Sequence, residues 1–224
     1  MNKPIVILHG WGVSAKRYDP LIKELRDKKF RVFAFDFPIA EQPSILSDYV
    51  SYLQKYLQKN KIVKPILIGH SFGGRVALKY QFVYPDSIAG LILTGTPGFS
   101  PFTKKLFIAL AKIGKIFFHS SQLRDWYYYI IGARDYYRAK GVMKNTFKNI
   151  VSESLVPYMK SVHIPTLLVW GEDDLLVPVW VAKKMEKTIQ KSQLIIIPNS
   201  GHNVSFAHPK EFVKNIYDFL LSLT

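Results

Sequence analysis

The chain has 224 residues, of which 48% are hydrophobic and 21% charged. That is enough to bury the core of one compact domain and excludes general disorder. It has no cysteine, which excludes disulfides, thiolate nucleophiles and Cys-ligated metals. The net charge of +15 comes without any zinc-finger, RNP or basic-zipper pattern, so it reads as a lysine-rich solvated surface and predicts no nucleic-acid partner.

In chain order, the first element is the apolar run 5–8, Ile-Val-Ile-Leu. It is too short for the apolar region of a signal peptide and reads as a strand. Further short runs rich in Ile, Val and Leu follow at 32–35, 66–68, 88–93, 166–170 and 194–197. Continuous apolar strands of this kind suit a parallel sheet buried on both faces. Helical patterns separate them. Ser44 is placed to cap a helix in which Ile45, Tyr49, Leu53 and Leu57 share a face. The stretches 72–84, 179–189 and 209–223 also read as helices; the first is stopped before Pro85, and the other two have a proline near their start. Alternation of this kind predicts an α/β fold, a mostly parallel sheet of about six strands flanked by helices with right-handed crossovers. Functional residues are then expected just beyond the carboxyl ends of the strands.

One segment breaks the alternation. Residues 98–160 show no strand pattern and carry 11 Lys or Arg against 3 Asp or Glu. They are also aromatic, with Trp126 and Tyr127 to Tyr129 in succession. The segment reads as a helical insertion lying over the strand ends. Its apolar run 106–118 includes Lys112 and Lys115 and is shorter than the roughly 18 apolar residues of a membrane span. No stable membrane insertion is therefore expected, although the basic, apolar character of this run leaves weak surface association open. A cytoplasmic location is the corresponding expectation.

Four loops carry the chemistry. Gly69-His70-Ser71-Phe72-Gly73-Gly74 follows a strand, opens a helix and satisfies G-x-S-x-G, the nucleophile elbow. A sharp turn there holds the serine clear of the sheet, and only small neighbours such as Gly69 and Gly73 avoid a clash. The Phe72 N–H, at the start of the helix, can face a developing oxyanion. Serine needs a base at neutral pH. Of the six histidines, His202 sits in the loop just after the last strand, His208 directly precedes Pro209 at the start of the last helix, and His70, inside the elbow, should point away from the serine's reaction face. A base in turn needs an acceptor to fix its tautomer. The loop after strand 166–170 offers three carboxylates, Glu172, Asp173 and Asp174. The first loop, His9-Gly10-Trp11-Gly12, lets backbone N–H groups approach a ligand closely. Trp11 N–H is the candidate second oxyanion donor, and the indole could floor the pocket.

Together, in this order, these motifs resemble the α/β-hydrolase superfamily, in the branch with a helical cap. Within that resemblance, residues 171–178 match the family's G-x-x-D-x-x-V-P loop, which singles out Asp174. The chain starts at the strand usually numbered third, so the core would lack the first two strands. Asp36-Phe37-Pro38 matches only the start of the D-x-P-G-x-G loop. The resemblance implies a core of residues 1–97 and 161–224, a cap of 98–160, and a triad of Ser71, His202 and Asp174. Trp11 and Phe72 would supply the oxyanion-hole N–H groups, Gly10 would be the motif glycine of the oxyanion loop, and Gly69 and Gly73 those of the elbow. It implies a small-molecule substrate, no metal and no cofactor. The activity implied is hydrolysis of a carboxylic ester, or a related acyl bond, of a small-to-medium apolar substrate through an acyl-enzyme on Ser71. Carbon–carbon hydrolases and cofactor-free haloperoxidase-like enzymes share these motifs, and a non-catalytic ligand- or membrane-binding protein on this fold is a further reading.

Overall fold

The computed structural model describes residues 3–39, 41–99 and 140–223. Its centre is a six-stranded sheet in the order β2-β1-β3-β4-β5-β6. The strands are β1 (Ile5–Leu8), β2 (Val32–Phe35), β3 (Ile66–His70), β4 (Gly90–Thr94), β5 (Thr166–Gly171) and β6 (Ser192–Ile197). Every pairing is parallel, as the apolar runs predict. The described helices are α1 (Asp19–Asp27), α2 (Leu46–Lys59), α3 (Phe72–Val83), α4 (Gly141–Ser152), α5 (Val156–Lys160), α6 (Val179–Thr188), α7 (Val204–Ala207) and α8 (Pro209–Ser222).

The strands have a period of two, so their side chains alternate between two cores. Val6, Leu8, Leu67, Leu91, Leu93, Leu168 and Trp170 face one side, where Leu53 of α2, Val76 of α3 and Met185 of α6 meet them. Ile5, Ile7, Ile66, Ile68, Ile92, Leu167 and Val169 face the other, against Leu21 and Leu25 of α1 and Phe212 and Ile216 of α8. Each of these side chains is essentially excluded from water, and burial of one Leu or Ile is worth about 2 kcal/mol.

Two local expectations are corrected and one helix is added. Ser44 does not cap α2; its hydroxyl turns back to the Gln42 carbonyl. Ile45 is the cap residue, and Asp48 in the first turn accepts its N–H at 2.8 Å. A carboxylate at that position is favoured by the helix dipole as well as by the bond. Strand β4 begins at Gly90 rather than at residue 88: Ala89 N–H still donates to the Pro65 carbonyl, but Pro65 has no N–H with which to carry the ladder further back. Helix α1 is the addition, with Pro20 in its first turn and Leu21, Ile22 and Leu25 buried along one side.

The described part of the 98–160 segment, α4 and α5, rests on the core. Leu155 and Met159 join the cluster that holds Val181 and Met185. Arg75 of α3 reaches across to the carbonyls of Ile150 and Glu153 at 2.6 and 2.7 Å and to that of Pro97 at 3.2 Å. Lys79 pairs with Glu153, which also accepts the Tyr158 hydroxyl. The aromatic run 126–129 and the apolar run 106–118 lie outside the described residues. Among the described residues no helix is long and apolar enough to cross a membrane.

Candidate functional site

The elbow forms where β3 turns into α3. Ser71 has φ 52° and ψ −112°, a conformation that a non-glycine residue adopts only when its surroundings impose it. Ser71 N–H donates to Thr94 O at 2.9 Å, extending the β3–β4 ladder by one residue. The glycines around it are set by close backbone approach. A Cβ on Gly73 would run into the Leu8 carbonyl at the end of β1, and one on Gly69 would meet the backbone of Gly74. Helix α3 can therefore start directly against the sheet only with glycine at these positions. A Cβ on Gly10 would stand 2.9 Å from His70 Nδ1 and 3.6 Å from Ser71 Cβ, so the first loop lies directly beside the serine.

Asp174 and His202, the expected acid and base, sit on the loops that follow β5 and β6. His202 Nδ1 and Asp174 Oδ2 are 2.9 Å apart. The carboxylate is 3% exposed, and its other oxygen accepts the N–H groups of Leu176 and Val177 at 2.9 and 2.8 Å. Trp170 Nε1–H donates to Val177 O at 2.7 Å and ties this loop back to β5. Of the three carboxylates in the loop, Asp174 alone is buried; Glu172 and Asp173 face solvent, their N–H groups bonded to Ile197 and Ser200. The His202 ring lies against Gly95, whose φ is +56° and whose added Cβ would be 2.7 Å from His202 Cε1. Gly95 directly follows Thr94, the partner of the Ser71 N–H, so serine and imidazole occupy the same rim. Among the described residues no hydrogen bond joins Ser71 Oγ to His202.

The first loop is held by His9 and Tyr18. His9 Nδ1–H donates to Gly10 O at 2.8 Å, while His9 Nε2 accepts the Phe37 N–H at 3.0 Å. Burial lowers the His9 pKa below the ordinary imidazole value, which favours this neutral form. Among the described residues neither the Trp11 nor the Phe72 N–H has a hydrogen-bond partner, as free oxyanion donors require. The indole of Trp11 stands edge-on to Phe72 at 5.4 Å and to Phe147 of α4 at 5.3 Å, which gives this end of the sheet an aromatic lining. Beyond Trp11 an open cleft of about 620 Å3 is lined by Gly12, Lys16, Arg17, Asn203 and Phe206 among others. No group of three or more His, Asp or Glu side chains able to hold a metal ion occurs among the described residues.

The sequence reading missed the surroundings of His70. The ring is buried and directed to the Tyr18 hydroxyl at 2.7 Å and the His202 carbonyl at 3.0 Å. Burial, reinforced by the neighbouring His202, lowers its pKa to about 3. Tyr18 lies in a stretch without motif or clear periodicity, so only its aromatic character could have drawn attention.

Comparison with known proteins agrees with this architecture. The model of a family described as "Alpha/beta hydrolase family" matches residues 5–215. A relative from Bacillus subtilis named AB hydrolase superfamily protein YisY is 26% identical, with 96% of this chain and 90% of the relative covered. The pimeloyl-[acyl-carrier protein] methyl ester esterase of Wigglesworthia glossinidia brevipalpis is also 26% identical, over 96% of this chain and 93% of that protein. Among solved structures, an esterase from Exiguobacterium antarcticum superposes with a TM-score of 0.77 at 21% identity, covering 98% of this chain and 93% of that one. With its six-stranded parallel sheet, strained elbow and matched motifs, the chain belongs to the alpha/beta hydrolase family.

Proposed function

We propose that the protein is a serine hydrolase that cleaves carboxylic esters of small or medium apolar acids, with Ser71 as nucleophile, His202 as base and Asp174 as the orienting acid. The observation that carries this reading is the His202–Asp174 hydrogen bond, made by a buried carboxylate that two backbone amides hold in place, on the rim where Ser71 is strained out of the sheet. Because Asp174 can only accept, His202 Nδ1 carries the proton and Nε2 is left free to accept one. Ser71 Oγ attacks the ester carbonyl as its proton passes to His202 Nε2. The oxyanion takes hydrogen bonds from the Trp11 and Phe72 N–H groups. Collapse of the tetrahedral species returns the proton to the leaving alcohol and leaves an acyl-Ser71 ester. Water, deprotonated by the same imidazole, then releases the acid and regenerates the serine.

The aromatic lining from Trp11, Phe72 and Phe147 supports an apolar acyl group, and placement of α4 beside Trp11 supports a cap formed by residues 98–160. The esterase named among the relatives fits the same reading. A fluorophosphonate probe tests it: the wild type should be labelled and Ser71→Ala should not, while p-nitrophenyl esters of graded chain length are turned over. Equal labelling of both proteins, or cleavage of a vinylogous diketone with no ester turnover, would replace this function.

A further inference from the structure

Four residues far apart in sequence form one buried run of hydrogen bonds, and donor chemistry fixes its direction. The Gly10 N–H can only donate, and it does so to Tyr18 Oη at 3.2 Å. At the other end the His202 carbonyl can only accept, so the His70 nitrogen 3.0 Å away, Nε2, must carry a proton. A neutral ring protonated at Nε2 presents Nδ1 as an acceptor, and the Tyr18 O–H donates to it at 2.7 Å. Every donor and acceptor in the run is thereby used once, with no polarity conflict. The lowered His70 pKa, about 3 with burial as its main cause, keeps the ring in this neutral form.

The ends of the run matter more than its middle. Gly10 immediately precedes Trp11, the proposed oxyanion donor, and His202 is the proposed base. We propose that Tyr18 and His70 are positioning residues that hold the Trp11 loop and the His202 loop in one fixed relation across Ser71; this inference rests on the function proposed above. Neither residue touches the reacting atoms in that reaction. The His202 ring is fixed at Nδ1 by Asp174, but that bond leaves its backbone to be placed separately, and the His70 Nε2–H supplies that second anchor. Phe206 of α7 closes the run from outside, its ring 5.2 Å from Tyr18 and 5.7 Å from His70. The titratable groups facing His70 are Tyr18, from the turn before α1, His202, from the loop before α7, and His9, from the end of β1.

Three substitutions separate positioning from mere packing. Tyr18→Phe keeps the ring and removes the hydroxyl, leaving Gly10 N–H and His70 Nδ1 unpaired. His70→Asn keeps an acceptor near the Nδ1 position but loses the donor to His202. His70→Gln keeps a donor near the Nε2 position and loses the acceptor for Tyr18. Steady-state ester kinetics and the proton NMR signal of the His202 Nδ1–H on Asp174 are the readouts. Tyr18→Phe and His70→Asn should each lower kcat about 10-fold, as the base or the oxyanion donor drifts from its aligned position. Their KM should stay within about 2-fold, since binding contacts are untouched. The His202 signal should shift or broaden in both, and His70→Gln should retain more kcat than His70→Asn.

A kcat within two-fold of wild type and an unmoved His202 signal in both Tyr18→Phe and His70→Asn would overturn the proposal, whatever happens to their melting temperatures. If the His70 variants do not fold, Tyr18→Phe gives both readings alone. Failure of the proposed function is distinguishable: the wild type would then resist the fluorophosphonate probe, while the His202 signal would still report whether Tyr18 and His70 hold that loop.

Discussion

Acid should destabilise this protein through one identifiable histidine. An unfolded imidazole titrates near 6.5, whereas His70 in the fold is held at about 3 by burial, with the His202 and His9 rings adding to the effect. A folded-state pKa below the unfolded one means the unfolded chain binds the extra proton first. Stability is therefore complete above pH 6.5 and is lost as pH falls from there toward 3. At pH 5 nearly all unfolded chains carry the proton and nearly no folded ones do, so the loss relative to pH 7 is about 2 kcal/mol at ~1.4 kcal/mol per unit. This figure is set almost wholly by the unfolded imidazole, because pH 5 lies well above the folded value. Other titrating groups act too, and His70→Gln serves as the reference that retains them. Urea unfolding of both proteins at pH 7 and pH 5 gives four stabilities. The wild type should lose about 2 kcal/mol more than His70→Gln over that interval. Equal losses in the two proteins would refute the assignment of His70 as a neutral, buried link between Tyr18 and His202.

Asp174→Asn should leave KM near its wild-type value and lower kcat by roughly 10^3-fold or more, because an amide allows the imidazole its wrong tautomer; ester kinetics read this directly. Gly73→Ala forces a methyl group into the Leu8 carbonyl and should cost about 2 kcal/mol or more in urea unfolding, since backbone must move to admit it. Arg75→Met strips the donors from the carbonyls of Pro97, Ile150 and Glu153 and should destabilise by about 3 kcal/mol, with proteolysis appearing first between residues 141 and 160.

The sheet was legible because its strands are parallel and covered on both sides. A strand with water on neither face must be largely apolar, and the runs 5–8, 66–68 and 167–170 show nothing else. The elbow was legible for a different reason: the tight turn around Ser71 puts Gly69 against the backbone of Gly74, a local requirement that shows in the spacing, while Gly73 answers to the distant Leu8 carbonyl on β1 and was legible only as part of the motif. Other features carry no such local sign. Ser44 looked like a cap because serine commonly is one, yet the helix starts one residue later, with Ile45 at the cap position and its N–H bonded to Asp48. Helix α1 is short, and its buried Leu21, Ile22 and Leu25 fill less than two turns. The Tyr18–His70–His202 run was beyond sequence reading altogether, since its partners lie 52 and 132 positions apart, and nothing in a tyrosine or a histidine announces which distant carbonyl it will meet.

What turns those separate loops into one site is strand register. Leu8 pairs with Gly69, His70 with Thr94, and Gly171 with Ile197. Gly10, Ser71, Gly95, Asp174 and His202 each follow within a few residues of such a pair. A parallel strand advances about 3.3 Å per residue. A slip of one position in any strand would carry its loop several times farther than the roughly 0.5 Å that a positioned hydrogen bond tolerates. The interleaved Ile and Leu side chains of the two cores oppose such a slip, because it would turn every one of them to the wrong face. The apolar residues that carry no chemistry thus set the distance between His202 and Asp174 as surely as the loops do. The Tyr18–His70 bridge then constrains what register alone leaves free, the relative placement of two loops that extend past the last paired residues.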